Sequence, residues 1–245
     1  MAKVEEKIEF FCNYFRDQVR VINALAVDVE AASGTDQQRH QIRFYKKALL
    51  ITHLDTLAGI RYSEGRYPQL NRKNKERFIQ LLCVSGVWPN GNLVSIPFLS
   101  EYTKNGKISD GRLNDLVTSK LREKFEEGSF NIQAVVIDEP FEKILELATT
   151  EQEEKVISEN RHYELLYRYR NYLVHESREP GNAMEVVPEE DEAYYHGYIG
   201  EDRLFLAYPI NLFVHILERS IDYIETYLKT NRLDPYDYVK ETVRW

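Results

Sequence analysis

Two long runs at the head of the chain keep helical spacing, and only a few residues separate them. In residues 4–32, Val4, Ile8, Phe11, Phe15, Val19 and Ile22 recur at three- and four-residue steps, and Ser33-Gly34 supplies a stop. The second run, residues 36–62, opens on Asp36 as an N-cap and lines up Ile42, Tyr45, Leu49, Thr56 and Ile60 near one stripe. Long helices joined so closely pack antiparallel, which commits the start of the chain to a helical bundle.

The rest of the chain extends that pattern and breaks it once. Residues 75–87 predict a short helix with Phe78, Leu81 and Leu82 inward. Residues 89–110 are rich in turn signals (PNGN, KNGK) and are expected to be irregular and to wrap the outside. Residues 113–127 return to helical spacing, residues 141–149 form a weaker helix, and the acidic residues 151–159 lead into the next helix. Residues 134–137 are a short apolar run that periodicity assigns to neither strand nor loop. Two β-rich segments, 194–199 and 204–208, flank Gly200-Glu201-Asp202-Arg203 and predict a hairpin, with 184–187 as a third short strand. Pro209 then sits where a helix starts, and residues 210–228 place Leu212, Ile216, Ile221 and Ile224 on a core face. The expected fold is mainly α, one domain over residues 1–245, with inserted segments at 89–110 and 184–208, the second a β-hairpin before the last long helix.

Composition closes off several function classes. Cys12 and Cys83 both lie among apolar neighbours, the pattern of buried reduced thiols, and the absence of a CxxC pair removes a zinc framework. No metal or cofactor is expected: there is no phosphate-binding Gly-Lys-Ser/Thr loop, no dinucleotide fingerprint and no G-x-S-x-G elbow. The start, MAKVEEKIEFF, is acidic rather than a basic region followed by an apolar run, and no stretch is long and apolar enough to span a bilayer. A cytoplasmic protein without membrane partners is expected. The net charge of −8 argues against broad duplex binding, which needs many phosphates neutralised. Acid is concentrated in residues 138–159 and 185–192, however, and Arg66, Arg72, Lys73, Lys75 and Arg77 leave one loop locally basic.

The segment 161–181, RHYELLYRYRNYLVHESREPG, is where chemistry concentrates. On a helix it gathers Arg161, Glu164, Arg168, Asn171 and His175 into one polar stripe, and sets Leu165, Leu166, Tyr169, Tyr172 and Leu173 on the core side. Pro180 and Gly181 stop it. Other histidines read as structural: His40, His196 and His215 are isolated, His53 and Asp55 point to different sides of a helix, and His162 and Glu164 are too close to share a face.

Within that segment RNYLVH resembles the R-x4–6-H motif of HEPN domains, small α-helical proteins widespread in prokaryotic toxin–antitoxin and anti-phage systems. Carried over position by position, the resemblance implies Arg170 and His175 as the catalytic pair and Asn171 as the polar supporter. Arg168 also fits the spacing, and Arg168, Arg72, Lys73 and Lys75 are the candidate RNA contacts. The resemblance further implies an antiparallel helical bundle, a homodimer with its site at the two-fold interface, an RNA substrate and an antitoxin or other regulatory protein.

The implied activity is metal-independent endoribonuclease cleavage, leaving a 2′,3′-cyclic phosphate and a 5′-hydroxyl. Histidine suits proton transfer near neutral pH, and arginine offers a planar fork of donors for phosphate oxygens. On an ideal helix, though, Arg170 lies about 140° from His175 and Arg168 about 20° from it. Either the helix loosens near Val174 or two copies assemble the site. The rival reading is a non-catalytic HEPN-like module that binds a nucleotide or a partner protein, which the net acidity favours. In a third, His175 only caps a helix C-terminus, where a cation is favourable.

Overall fold

A computed structural model describes residues 2–26, 36–109, 111–126, 131–180, 190–197 and 203–237. The chain is mainly helical with a small antiparallel sheet, and it divides into two compact units that interleave along the sequence. None of the described helices is long and apolar enough to cross a membrane.

The first unit holds residues 1–88, 173–178 and 213–245. Its helices are α1 (Ala2–Ala24), α2 (Asp36–Arg61), α3 (Asn74–Leu82) and most of α10 (Ile210–Asn231). The stripe expected on α1 is the buried one: Ile8, Phe11, Phe15, Val19 and Ile22 are all in the core. On α10, Ile216, Ile221 and Ile224 face inward as their spacing demands. Arg16 of α1 ties the two helices at the surface, with Nη2 2.7 Å from Asp222 Oδ1 and 2.5 Å from Glu225 Oε2.

On α2 the core face is not the expected one. Tyr45, Leu49 and Thr56 are exposed, and Leu50, Ile51, Leu54, Leu57 and Ala58 are buried instead. The run ALLITHLDTLAGI carries apolar residues on two faces, and the face richer in leucine and isoleucine removes more apolar area from water. His53 packs edge-on to Phe15 at 5.7 Å between ring centroids, and partial burial lowers its pKa. The first helix ends at Ala24 rather than near residue 32, with Leu25 N turning back to the Ile22 carbonyl at 3.1 Å; residues 27–35, with the expected Ser33-Gly34 stop, fall outside the described residues.

The two thiols part company. Cys12 is buried beside the α1 core, and burial pushes its pKa up to about 12. Cys83 is exposed, because Leu81 and Leu82 take the inward positions of α3 and residue 83 turns outward as its C-cap.

Residues 89–172 and 179–212 form the second unit. Here the segment expected to be irregular contains α4 (Ile96–Lys104). The N-cap explains it: Ser95 Oγ accepts from Phe98 N at 3.2 Å, and Pro97 sits in the first turn, where its missing N–H costs nothing. The turn signals mark the ends of this helix, with Pro89–Asn92 as a 3-10 turn before it and Gly106 at φ +67 after it. α5 (Arg112–Glu126) follows. Residues 134–137 resolve into one helical turn, α6 (Ala134–Ile137), after the short strand β2 (Asn131–Gln133). The acidic segment is a helix in its own right: α7 (Phe141–Leu145) is followed by α8 (Glu151–Glu159), capped by Thr150 Oγ1, and then by α9 (His162–His175).

The two expected strands pair. β4 (Tyr194–Gly197) pairs antiparallel with β5 (Leu204–Ala207), setting Tyr194 opposite Ala207 and Gly197 opposite Leu204. The third strand of this sheet is β2, paired with β4, and the candidate third strand 184–187 lies outside the described residues. A separate two-stranded pair joins β1 (Leu93–Val94) to β3 (Glu139–Pro140).

Candidate functional site

Helix α9 carries the motif, and its burial pattern follows the wheel. Leu165, Leu166, Tyr169 and Leu173 are buried, Asn171 and Tyr172 are half-buried, and Arg168 and His175 are exposed. Arg170 falls on the buried side with 8% of its surface accessible. Its Nη1 donates to Asn171 Oδ1 at 3.1 Å, and its guanidinium lies 5.8 Å from the Tyr167 ring centre. The helix stays regular to its last residue, His175, so the five-residue step keeps Arg170 and His175 roughly 140° apart around the axis. Loosening near Val174 does not occur; the chain departs from helical geometry only afterwards, with Ser177 at φ +51.

Arg168 projects from the polar stripe. Its Nη2 donates to the Glu159 carbonyl at 2.9 Å and to Asn160 Oδ1 at 3.1 Å, which closes the junction between α8 and α9. Arg168, Arg170 and Asn171 belong to the second unit, whereas His175, Arg72, Lys73 and Lys75 belong to the first. The last three are exposed around the start of α3, where Arg72 adopts φ +57, while Arg77 is buried and donates from Nε to the Leu70 carbonyl at 2.9 Å.

What the sequence did not disclose is a buried polar cluster in the second unit. His162, the first residue of α9, sets Nε2 2.7 Å from Asp138 Oδ2 and Nδ1 3.0 Å from Tyr208 Oη. The other Asp138 oxygen accepts from Ile96 N at 2.9 Å, and Tyr195 Oη lies 2.7 Å from Asp138 Oδ2 and 2.6 Å from Ser95 Oγ. With an N–H on Nε2 facing the carboxylate, Nδ1 accepts from the Tyr208 phenol. Burial raises the Tyr195 pKa well above the usual phenol range, and the neighbouring Asp138 charge adds to it; burial likewise raises Tyr208. Both phenols therefore keep the protons that satisfy the cluster.

A histidine, a carboxylate and two hydroxyl groups invite a catalytic reading, but His162 and Tyr195 are at most 1% exposed and no substrate reaches them. The cluster acts as a clasp: one carboxylate, at the end of α6, joins the start of α4, the start of α9 and strand β4, and His162 extends it to Tyr208, just after β5. Buried polar groups are retained when every member finds a partner, and here they fix where α9 begins. Among the described residues no group of three or more His, Cys, Asp or Glu side chains is placed to hold a metal ion.

The same unit contains a pocket of about 390 Å³ alongside α9, walled by Phe98, Tyr169, Tyr172 and the β5 side chain Phe205, with Arg168 and Arg203 among its polar lining. It shares Arg168 with the polar stripe of the motif helix.

No protein-family description, no curated protein and no solved structure matches the chain.

Proposed function

We propose that this protein is a metal-independent endoribonuclease of the HEPN type, acting as a pair of copies in a toxin or anti-phage defence role and held in check by an antitoxin or regulatory protein. The observation that carries the reading is the arrangement of RNYLVH on α9. His175 is exposed at the end of the helix, Asn171 stands one turn before it, and Arg170 holds Asn171 from the buried side.

In the proposed reaction an imidazole takes the proton from a ribose 2′-hydroxyl as that oxygen attacks the adjacent phosphorus. The bond from phosphorus to the 5′-oxygen breaks, and the leaving oxygen receives a proton. The products are a 2′,3′-cyclic phosphate and a 5′-hydroxyl. One step needs a base and the other an acid, and a symmetric pair of copies supplies two His175 side chains for them. The buried Arg170 is a positioning residue that acts through Asn171, and the exposed Arg168 is the cation available to phosphate oxygens.

The test is cleavage of a mixed RNA pool in EDTA. Wild type is expected to cut, and His175→Ala to lose about a hundredfold or more of that activity, the scale of a general acid–base contribution. Equal rates for the two proteins would sink the proposal. If Arg170 acts through Asn171, then Arg170→Ala, Asn171→Ala and the double variant lose similar amounts; additive losses would show that they act separately.

A further inference from the structure

We infer that the pocket between α9 and β5 is a nucleotide-binding subsite, taking a planar base against its aromatic walls and a phosphate on Arg168 and Arg203. This goes beyond the nuclease reading and does not depend on it. Three properties of the pocket point to that ligand.

The first is its lining. Phe98, Tyr172 and Phe205 are half-buried, so their rings are fixed by packing yet accessible from the pocket, and Tyr169 closes the floor against Tyr208 in an edge-to-face contact with centroids 5.3 Å apart. Phe205 is stacked with His196, with ring centroids 5.8 Å apart. Bases stack on such rings whatever their identity, because every base presents a π-face.

The second is charge. Arg168 and Arg203 are exposed and contribute to the lining, in a chain whose net charge is −8. Each guanidinium lies near an aromatic ring of the pocket: Arg168 Cζ is 6.0 Å from the centre of Phe98, and Arg203 Cζ is 5.4 Å from that of Phe205. Both hydrogen bonds that Arg168 makes among the described residues leave from Nη2 and end on neutral oxygens, so its positive charge is not cancelled by an ion pair there. Two arginines beside ring faces select an anion attached to a flat, apolar body.

The third is size. A pocket of about 390 Å³ stands near the lower end of the range for small-molecule sites, roughly 300 Å³ upward, which suits one nucleotide and excludes a duplex.

The nucleotide could be free or part of a single strand, and titrations distinguish the two. The probes are adenosine 5′-monophosphate, adenosine, inorganic phosphate and a 2′-deoxyadenosine trinucleotide, which lacks the hydroxyl needed for cleavage. Binding is followed by calorimetry on wild type and on His175→Ala. Adenosine monophosphate is expected to bind both proteins equally and at least about tenfold more tightly than adenosine, the scale of a charge-assisted contact. The double variant Arg168→Ala/Arg203→Ala, checked for helix content by circular dichroism, should bring the monophosphate down to the level of adenosine. Phe205→Ala should weaken both ligands.

Saturation by the trinucleotide alone would assign the subsite to a strand, and saturation by the monophosphate would assign it to a free nucleotide; either supports the inference. It is overturned if neither binds wild type, if the double variant binds the monophosphate as wild type does, or if inorganic phosphate binds as tightly as the monophosphate. Failure of the nuclease reading would show instead as uncut RNA, with these titrations unchanged.

Discussion

Glu153 offers a test of how the second unit is held together, because its magnitude follows from the structure. It is the third residue of α8 and is buried. Its Oε1 accepts from Ser109 N at 3.1 Å and Ser109 Oγ at 2.6 Å, and its Oε2 accepts from Thr149 N at 2.7 Å and Thr149 Oγ1 at 2.8 Å. Its own N–H donates to Thr150 Oγ1 at 3.2 Å, so the Thr150 hydroxyl caps the helix while the carboxylate holds the residue before the cap. Burial alone would raise the pKa of this group. The hydrogen bonds from Ser109 and Thr149 outweigh burial and hold it at about 2, against an ordinary 4.5.

The unfolded chain therefore binds a proton between those two values that the folded chain does not. The stabilisation is present in full above pH 4.5 and is lost as pH falls toward 2. At about 1.4 kcal/mol per pH unit, that gap contributes roughly 3 kcal/mol at neutral pH. Glu153→Gln keeps the shape and removes the titration. Urea unfolding followed by far-ultraviolet circular dichroism, at pH values from 2.5 to 7, measures the difference between wild type and variant. That difference should be constant above about pH 5 and shrink by about 2 to 3 kcal/mol on the way down. A difference that stays flat across the range would refute the reasoning.

Two other outcomes follow from buried groups. Asp138→Ala leaves Ile96 N, His162 and Tyr195 facing a buried gap and should destabilise the protein by about 3 to 5 kcal/mol, whereas Tyr195→Phe should cost about 1 to 2 kcal/mol; thermal unfolding of both variants checks the order. With a thiol reagent at pH 8 the native protein should react at Cys83 and not at Cys12, and both should react in urea, since burial keeps the Cys12 thiol protonated; rapid labelling of both in the native state would contradict its placement.

Legibility in the sequence tracked how local each determinant is. α1, α10 and the paired strands β4 and β5 announced themselves through their apolar patterns, although α1 ends at Ala24, short of the expected residue 32. α2 also announced its existence but not its face, since two apolar stripes compete within one run and only packing chooses between them. α4 was obscured by the turn signals at its two ends, although the Ser95 cap and Pro97 were there to be read. The clasp could not be read at all: Asp138 and Tyr195 stand 24 and 33 residues from His162 in sequence, and no spacing rule connects them. On α9, the wheel separated Arg170 from His175, and the fold keeps Arg170 buried on Asn171 and His175 exposed.

The chemistry assigned to His175 is tested most directly by the ends it leaves on RNA. After incubation with wild-type protein in EDTA, mass spectrometry of the fragments should find 2′,3′-cyclic phosphates paired with 5′-hydroxyls, and the His175→Ala sample should lack both. Fragments ending in 3′-hydroxyls and 5′-phosphates, or the same cyclic ends from the variant at the wild-type rate, would contradict it.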